Sequence, residues 1–504
     1  MIFKDTVAMT DQAMQINIKK LEKIYERNEE QVRTSRWYPQ FHFASRAGWI
    51  NDPNGLVFFQ GEYHLFYQTA PQSLFWSEVS WGHATSADLI HWNHVSLALA
   101  PSESYDDDPR GGCFSGSPIV WDDKLWLFYT GCTYGRDGFL QTQCMAWSED
   151  GIHFHKSKLN PLICAPKGVK RSMFRDPKVW RDTQNDCFFM VVGCEKDDGN
   201  AAALLYTSTD LFSWTYVNIL FESRGEWGHM WECPNFFQIE NRWVFSCSPM
   251  GAGLRTAVYF VGDFDAERGR FFPAISGAVD YGFDCYAGQE YLLPDGRHVM
   301  LSWANEWEWM PFFKDWGPTY KDGWSGFFCF PREIQLLGDG TLAFPPIREI
   351  EQLRTNKVEI GATTISDGEY LHIPLNDGTH FELECIIDSS SPADRMVVHA
   401  RSNMGRTYET RISLDFTHAK LLVNRGKSDG WSRGEAAVDF PIREEEPISL
   451  TILSDTSSVE IFAADGRYCQ SVNVFPEKDC SDLSIEAVGG EVRLLSCVGY
   501  KMTL

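Results

Sequence analysis

No run in the 504 residues is long and apolar enough to span a bilayer. The opening stretch, MIFKDTVAMTDQAMQ, holds no apolar core of signal-peptide length. Positive charge is scarce: 45 Lys and Arg stand against 69 Asp and Glu, a formal net charge of −24. Such a chain repels phosphate backbones and anionic bilayers, and no basic run overrides that repulsion. Nucleic acid and membrane surfaces are therefore excluded as partners. Organised cysteine is missing too. The 14 Cys scatter from Cys113 to Cys497 with no CxxC pair and no zinc-like Cys/His spacing. Neither a disulfide framework nor a metal or other cofactor is called for, and the cysteines read as small buried hydrophobes of a reduced, cytoplasmic protein. Nothing in the chain sets an oligomeric state.

What the chain has in quantity is aromatic: 19 Trp, 18 Tyr and 35 Phe, 14% in all. Aromatics favour strands and offer flat faces to sugar rings. Residues 8–34 stand apart, with helix formers throughout, no Gly or Pro, and Ile16, Ile18, Leu21 and Ile24 near one face; this predicts one N-terminal helix. After Arg36 short strands with Gly, Asp and Asn turns run to the end, so the chain reads as all-β with a helical preface.

A repeat organises the first three hundred residues. GLVFFQGEYHLFYQ (55–68), PIVWDDKLWLFYTG (118–131), KVWRDTQNDCFFMVVG (178–193), NFFQIENRWVFSCS (235–248) and YLLPDGRHVMLSW (291–303) are each a strand, a polar turn and a second strand. Their starts lie 63, 60, 57 and 56 residues apart. SADLIHW (86–92), SEDGIHF (148–154) and STDLFSW (208–214) follow the first three as a companion motif. A period near 60 with several strands per unit predicts a five-bladed β-propeller. Alternating strands after about residue 358 predict a β-sandwich. The expected organisation is a helical segment 1–36, a propeller 37–345, a linker 346–358 and a sandwich 359–504.

Within WINDPNG (49–55), Asn51 to Gly55 has the composition of a turn. The repeat gives Asp52 another meaning. WINDPNG, MFRDPKVW (173–180) and MWECPNFF (230–237) lead into the first strands of units one, three and four, which puts Asp52, Asp176 and Glu232 at nearly equivalent places. First strands line a propeller's channel, so three carboxylates converge on one mouth, where like charges raise one another's pKa. That pattern fits acid–base work on a sugar. Asp52 is expected to stay ionised on the free N–H groups of the PNG turn. Glu232, between Trp231 and Cys233-Pro234, is expected to be the carboxyl that holds a proton.

These motifs resemble those of glycoside hydrolase family 32, the invertase and fructanase family. FSGS (114–117), WGHATSADLIHW (81–92), DYGFDCYAGQ (280–289) and SSVEIFAADG (457–466) extend the resemblance over nearly everything from residue 37 onward. It implies a propeller plus sandwich and a retaining β-fructofuranosidase that acts on sucrose, sucrose 6-phosphate or short fructo-oligosaccharides. Asp52 would attack the anomeric carbon, Glu232 would serve as general acid and then base, and Asp176 would hold fructose hydroxyls. Asn51, Gln68, Trp76, Ser115 and Arg175 would contact substrate, as would Asp284, Tyr286 and Trp303 of the fifth unit. Phe114 stands at a family contact position but reads better as core, like Trp81 and His83. Cys285, Gly288 and Asn235 depart from the family's usual Phe, Pro and Asp. Transfer to a sugar acceptor, a non-catalytic fructan-binding propeller and an arabinan-cleaving enzyme are the alternatives.

Overall fold

A computed structural model describes residues 3–136, 138–183, 185–253, 255–307, 317–443, 445–476 and 479–504. The chain opens with helix α1, Phe3–Arg33. Its buried stripe is Met14, Ile18, Tyr25 and Val32, with Leu21 half-buried between them, a spacing that repeats every three to four residues. Ile16 lies off this stripe and is exposed, because two residues along a helix turn a side chain to the far side. Polar contacts dock α1 on the body: Tyr25 Oη lies 2.7 Å from Thr69 Oγ1, and Arg46 bridges Glu22 and Glu29 at 2.8 and 3.0 Å.

Beyond the helix the chain is nearly all strand. Five antiparallel sheets follow one another, and each of the five repeat units is the first hairpin of one sheet. Their first strands are Gly48–Phe59, Gly112–Trp121, Val169–Asp182, Met230–Ile239 and Tyr286–Leu292. Each of these strands packs against the first strand of the next sheet, and the fifth packs against the first, so the five close into a ring. Between the second and third strands of the fifth sheet the chain adds Trp324–Ser325 in parallel to Gly48-Trp49 of the first. The companion motif is a set of side-chain-capped turns. Asp88, Asp150 and Asp210 each accept two backbone N–H bonds from the residues two and three further on.

Two further sheets, one of seven strands and one of six, complete the chain around a separate apolar core. Pairing in them begins with Arg354–Ile360 against Val492–Met502, so the first strand of this part lies largely within the span expected to be linker. The Arg348–Leu353 turn of 3-10 helix, which buries Ile350 and Leu353, leads into it. A buried ionic seam joins the two parts. The His42 ring sits between Asp455 and Glu460, at 2.8 Å from each, and Arg332 joins Asp280 to Glu460 at 2.9 and 2.8 Å. Asp455 also accepts the backbone N–H groups of Gln40, Phe41 and His42. The two carboxylates hold the His42 imidazole protonated against its burial, up to about 9.

Candidate active site

The PNG segment is not a turn. It lies inside the strand Gly48–Phe59, where pairing with Glu62–Ala70 slips after Ile50 and again after Pro53. The other four first strands slip at the corresponding place, after Phe114, Arg175, Glu232 and Tyr286. A bulge leaves its extra residue out of the ladder and re-aims it. Here those residues include Asp52, Ser115, Asp176, Cys233 and Ala287. Three of them carry positive φ, 68° at Asp176, 47° at Cys233 and 53° at Ala287, a region that side-chain-bearing residues seldom enter. Pro53 is tolerated because at a bulge its missing N–H leaves no ladder bond unmade.

The bulges sort the site into two rows. Glu232 stands one residue before its bulge, so its counterparts are Arg175 and Tyr286, and the counterpart of Asp176 is Cys233. Arg175, Glu232 and Tyr286 therefore come from three successive sheets at one level and meet. The Arg175 guanidinium donates to Glu232 Oε1 from Nε at 3.1 Å and from Nη2 at 2.8 Å, and the Tyr286 hydroxyl donates to Oε2 at 2.5 Å. The second row holds Asp52, Ser115, Asp176 and Cys233. Ser115 Oγ donates to Asp52 Oδ2 at 2.6 Å, Asn51 Nδ2 donates to Oδ1 at 3.0 Å, and Cys233 Sγ lies 3.6 Å from Oδ2. The backbone N–H of Cys233 donates to Asp176 Oδ2 at 2.9 Å. Gln68 ties together the two donors of Asp52, accepting from Asn51 at 2.9 Å and donating to Ser115 at 2.6 Å.

Burial decides the electrostatics. Loss of water and the charge of Glu232 push the Asp52 carboxyl up to about 6 against its three donors. Asp176 goes up to about 7, because burial and the charges of Glu232 and Asp52 outweigh the pull of Arg175. The expectation that turn N–H groups keep Asp52 ionised fails, since its three donors are all side chains, those of Ser115, Asn51 and Cys233. Glu232 is not left among apolar neighbours either: it is the carboxyl that Arg175 and Tyr286 hold.

A cavity of about 360 Å³ opens onto all three acids. Asn51, Gln68, Trp76, Phe114 and Arg175 line it, so Phe114 faces the cavity as well as packing. Ser115 lies behind Asp52, and Tyr286 reaches the site through Glu232. Trp303 is fully buried, its ring 5.6 Å from Trp49 and 4.8 Å from Trp307, and forms backing rather than lining. Asp284 is not brought to the cavity. It pairs with Arg425 and accepts the Asn473 N–H at 2.7 Å, both from the C-terminal sheets, as an interdomain strut. Phe139, Gln141, Ser172, Met173, Met250 and Trp307 complete the lining and were not singled out from sequence. Met173 and Met250 place their sulfurs 3.4 and 3.2 Å from the Arg175 guanidinium. The closeness of Met173 to FRDP, and the aromatic abundance for Trp307, were the available signals. Among the described residues no group of three or more His, Cys, Asp or Glu is placed to hold a metal ion.

Paired carboxyls held in different hydrogen-bond settings, beside hydrogen-bonding amides and aromatic rings, are the equipment of a glycoside hydrolase. Residues 42–346 match the glycosyl hydrolases family 32 N-terminal domain, and residues 349–500 match the family's C-terminal domain. A sucrose-6-phosphate hydrolase of Zymomonas mobilis is 36% identical over 501 residues, covering 94% of each chain. A raffinose invertase of Escherichia coli is 35% identical over 492 residues, covering 94% of this chain and 96% of its own. A Bombyx mori GH32 beta-fructofuranosidase superposes with a TM-score of 0.79 at 28% identity, over 97% of this chain and 98% of its own. The chain belongs to glycosyl hydrolase family 32.

Proposed function

We propose that this enzyme, a β-fructofuranosidase, cleaves terminal β-fructofuranosyl units of sucrose-type substrates by double displacement, with Asp52 as nucleophile and Glu232 as acid/base. The observation that carries the reading is the convergence of Asp52, Asp176 and Glu232 on one cavity, each in a different hydrogen-bond setting. Ionised Asp52, oriented by Ser115 and Asn51, attacks the anomeric carbon. Glu232, set between Arg175 and Tyr286, protonates the leaving oxygen and then takes a proton from water. Asp176, locked at positive φ with one oxygen on the Cys233 N–H, accepts fructose hydroxyls and stabilises the oxocarbenium-like transition state. The five ring-closed sheets are the blades of a β-propeller, whose channel mouth is the cavity, and the two C-terminal sheets form a β-sandwich. A complex of a mutant of the Bombyx mori relative with sucrose supports sucrose as substrate. All 14 cysteines are free thiols, which supports a reducing cytoplasm. No described helix is long and apolar enough to cross a membrane.

Fructose release from sucrose by the wild type, Asp52→Ala and Glu232→Ala tests the assignment. Both variants are expected to fold and to lose nearly all turnover. On an aryl β-fructofuranoside whose leaving group needs no proton, Glu232→Ala keeps its first step and Asp52→Ala does not. Equal loss in Glu232→Ala on both substrates overturns the acid role.

A further inference from the structure

The strand Gly138–Ser148 has a cavity on each side. Phe139 and Gln141 face the carboxylates, while Leu140 and Thr142 line a second, larger cavity of about 670 Å³, with Gln141 forming a wall of both. Period-two alternation puts neighbouring residues of one strand on opposite faces. The segment following Val169, whose pairing is irregular up to Phe174, also borders both, with Arg171 in the second cavity and Ser172 and Met173 in the first.

Charge marks this second cavity as unusual for the chain. Residues 151–175 contain six Lys and Arg and no acid, in a protein where acids outnumber those bases 69 to 45. Three of the six are neutralised: Lys156 pairs with Asp106, Lys170 with Glu195 and Arg175 with Glu232. Lys158 and Arg171 line the cavity and form no ion pair among the described residues. Glu103 is the one carboxyl in the lining, and the hydroxyls of Ser104 and Thr133 lie there as well. Two free cations beside hydroxyl groups, in a space wider than the catalytic cavity, suit a ligand that is part anion and part sugar.

We propose that this cavity binds the phosphate group of a phosphorylated hexose through Lys158 and Arg171. The phosphate belongs either to the substrate's leaving hexose or to a free hexose phosphate. The route to catalysis is short in both cases. Gln141 Oε1 accepts from the Phe174 N–H at 2.8 Å and from Arg175 Nη1 at 3.4 Å, and Arg175 holds Glu232. A ligand against the Gln141 wall therefore bears on the position of the acid/base. This inference rests on the β-fructofuranosidase reading for its kinetic part only.

The test uses the full chain and the double variant Lys158→Gln/Arg171→Gln; both side chains are exposed, so thermal melting should match the wild type. Calorimetry with glucose 6-phosphate, glucose and inorganic phosphate comes first. The wild type is expected to bind glucose 6-phosphate at least about tenfold more tightly than glucose, and the double variant to lose that preference, as expected for charge-assisted bonds to phosphate. Absence of glucose 6-phosphate binding, or binding that the double variant retains, overturns the proposal. Kinetics then separate the sources. If the phosphate is the substrate's own, the ratio of kcat/KM for sucrose 6-phosphate to that for sucrose falls at least about tenfold in the double variant. If it is a free ligand, added glucose 6-phosphate changes sucrose turnover in the wild type and not in the double variant. A constant ratio together with no response to glucose 6-phosphate also overturns the proposal. Failure of wild-type sucrose hydrolysis would instead count against the fructosidase reading and leave the calorimetry standing.

Discussion

Ser115→Ala removes the hydroxyl that stands between the Asp52 carboxylate and the Gln68 amide in a buried site. Its Oγ donates to Asp52 Oδ2 at 2.6 Å, and this bond holds the carboxyl below the value that burial and Glu232 would otherwise impose. A hydrogen bond to a charged group contributes about 1.5–3 kcal/mol. At about 1.36 kcal/mol per pH unit, its loss raises the Asp52 pKa by roughly 1–2 units. Asn51 and Cys233 still face the carboxyl, which favours the lower end of that range. Asp52 attacks only when ionised, so a higher pKa removes activity from the acidic side. The acidic limb of kcat/KM on sucrose, which reports the free enzyme, should move from about 6 to roughly 7. Asp176 sits near the same range, so the limb titrates as a group; Ser115 has no bond to Asp176, and the displacement belongs to Asp52. Rates from about pH 4 to about pH 9 for both proteins, each fitted as a bell and normalised to its maximum, give the answer. A limb that stays put or moves to lower pH refutes the reasoning.

Asp52→Asn should stabilise the fold while abolishing turnover. A carboxyl raised from 3.8 to about 6 opposes folding above its unfolded pKa, by roughly 3 kcal/mol once pH exceeds 6. The Tm advantage of the variant should grow between about pH 4 and 6 and then level off; parallel Tm curves would disprove it. His42→Gln removes a group whose folded pKa is raised to about 9. Its stabilisation is complete below about 6.5 and fades as pH rises through 9, so the wild-type Tm should approach that of the variant over that window. Tyr286→Phe loses the hydroxyl bond to Glu232 and should lower kcat/KM about 10–100-fold with the melting curve intact. Asp284→Asn, two residues away, should do the reverse: breaking its buried pair with Arg425 costs about 3–5 kcal/mol of stability and leaves the KM for sucrose unchanged. A raised KM with unaltered stability would return Asp284 to the substrate site.

The helix and the hairpins of the repeat were legible because each is written within a few residues of chain. Helical spacing, strand alternation and Asp-capped turns are local properties, and their recurrence about every 60 residues announced the ring. Asp52, Asp176 and Glu232 could be found from their places in that recurrence. The tertiary structure alone decided the rest. Asn-Asp-Pro-Asn-Gly has the composition of a turn, yet pairing with Glu62–Ala70 draws it into a bulged strand. One residue of offset between bulges sets Glu232 level with Arg175 and Tyr286, and Asp176 level with Cys233. Asp284 and Tyr286 are neighbours in sequence with unrelated partners, Arg425 at a separation of 141 residues and Glu232 at 54. Which carboxyl is ionised follows from such distant partners and from burial. Local chain geometry sets which way a strand's side chains alternate; only ring closure, which brings separate strands together, sets what they meet.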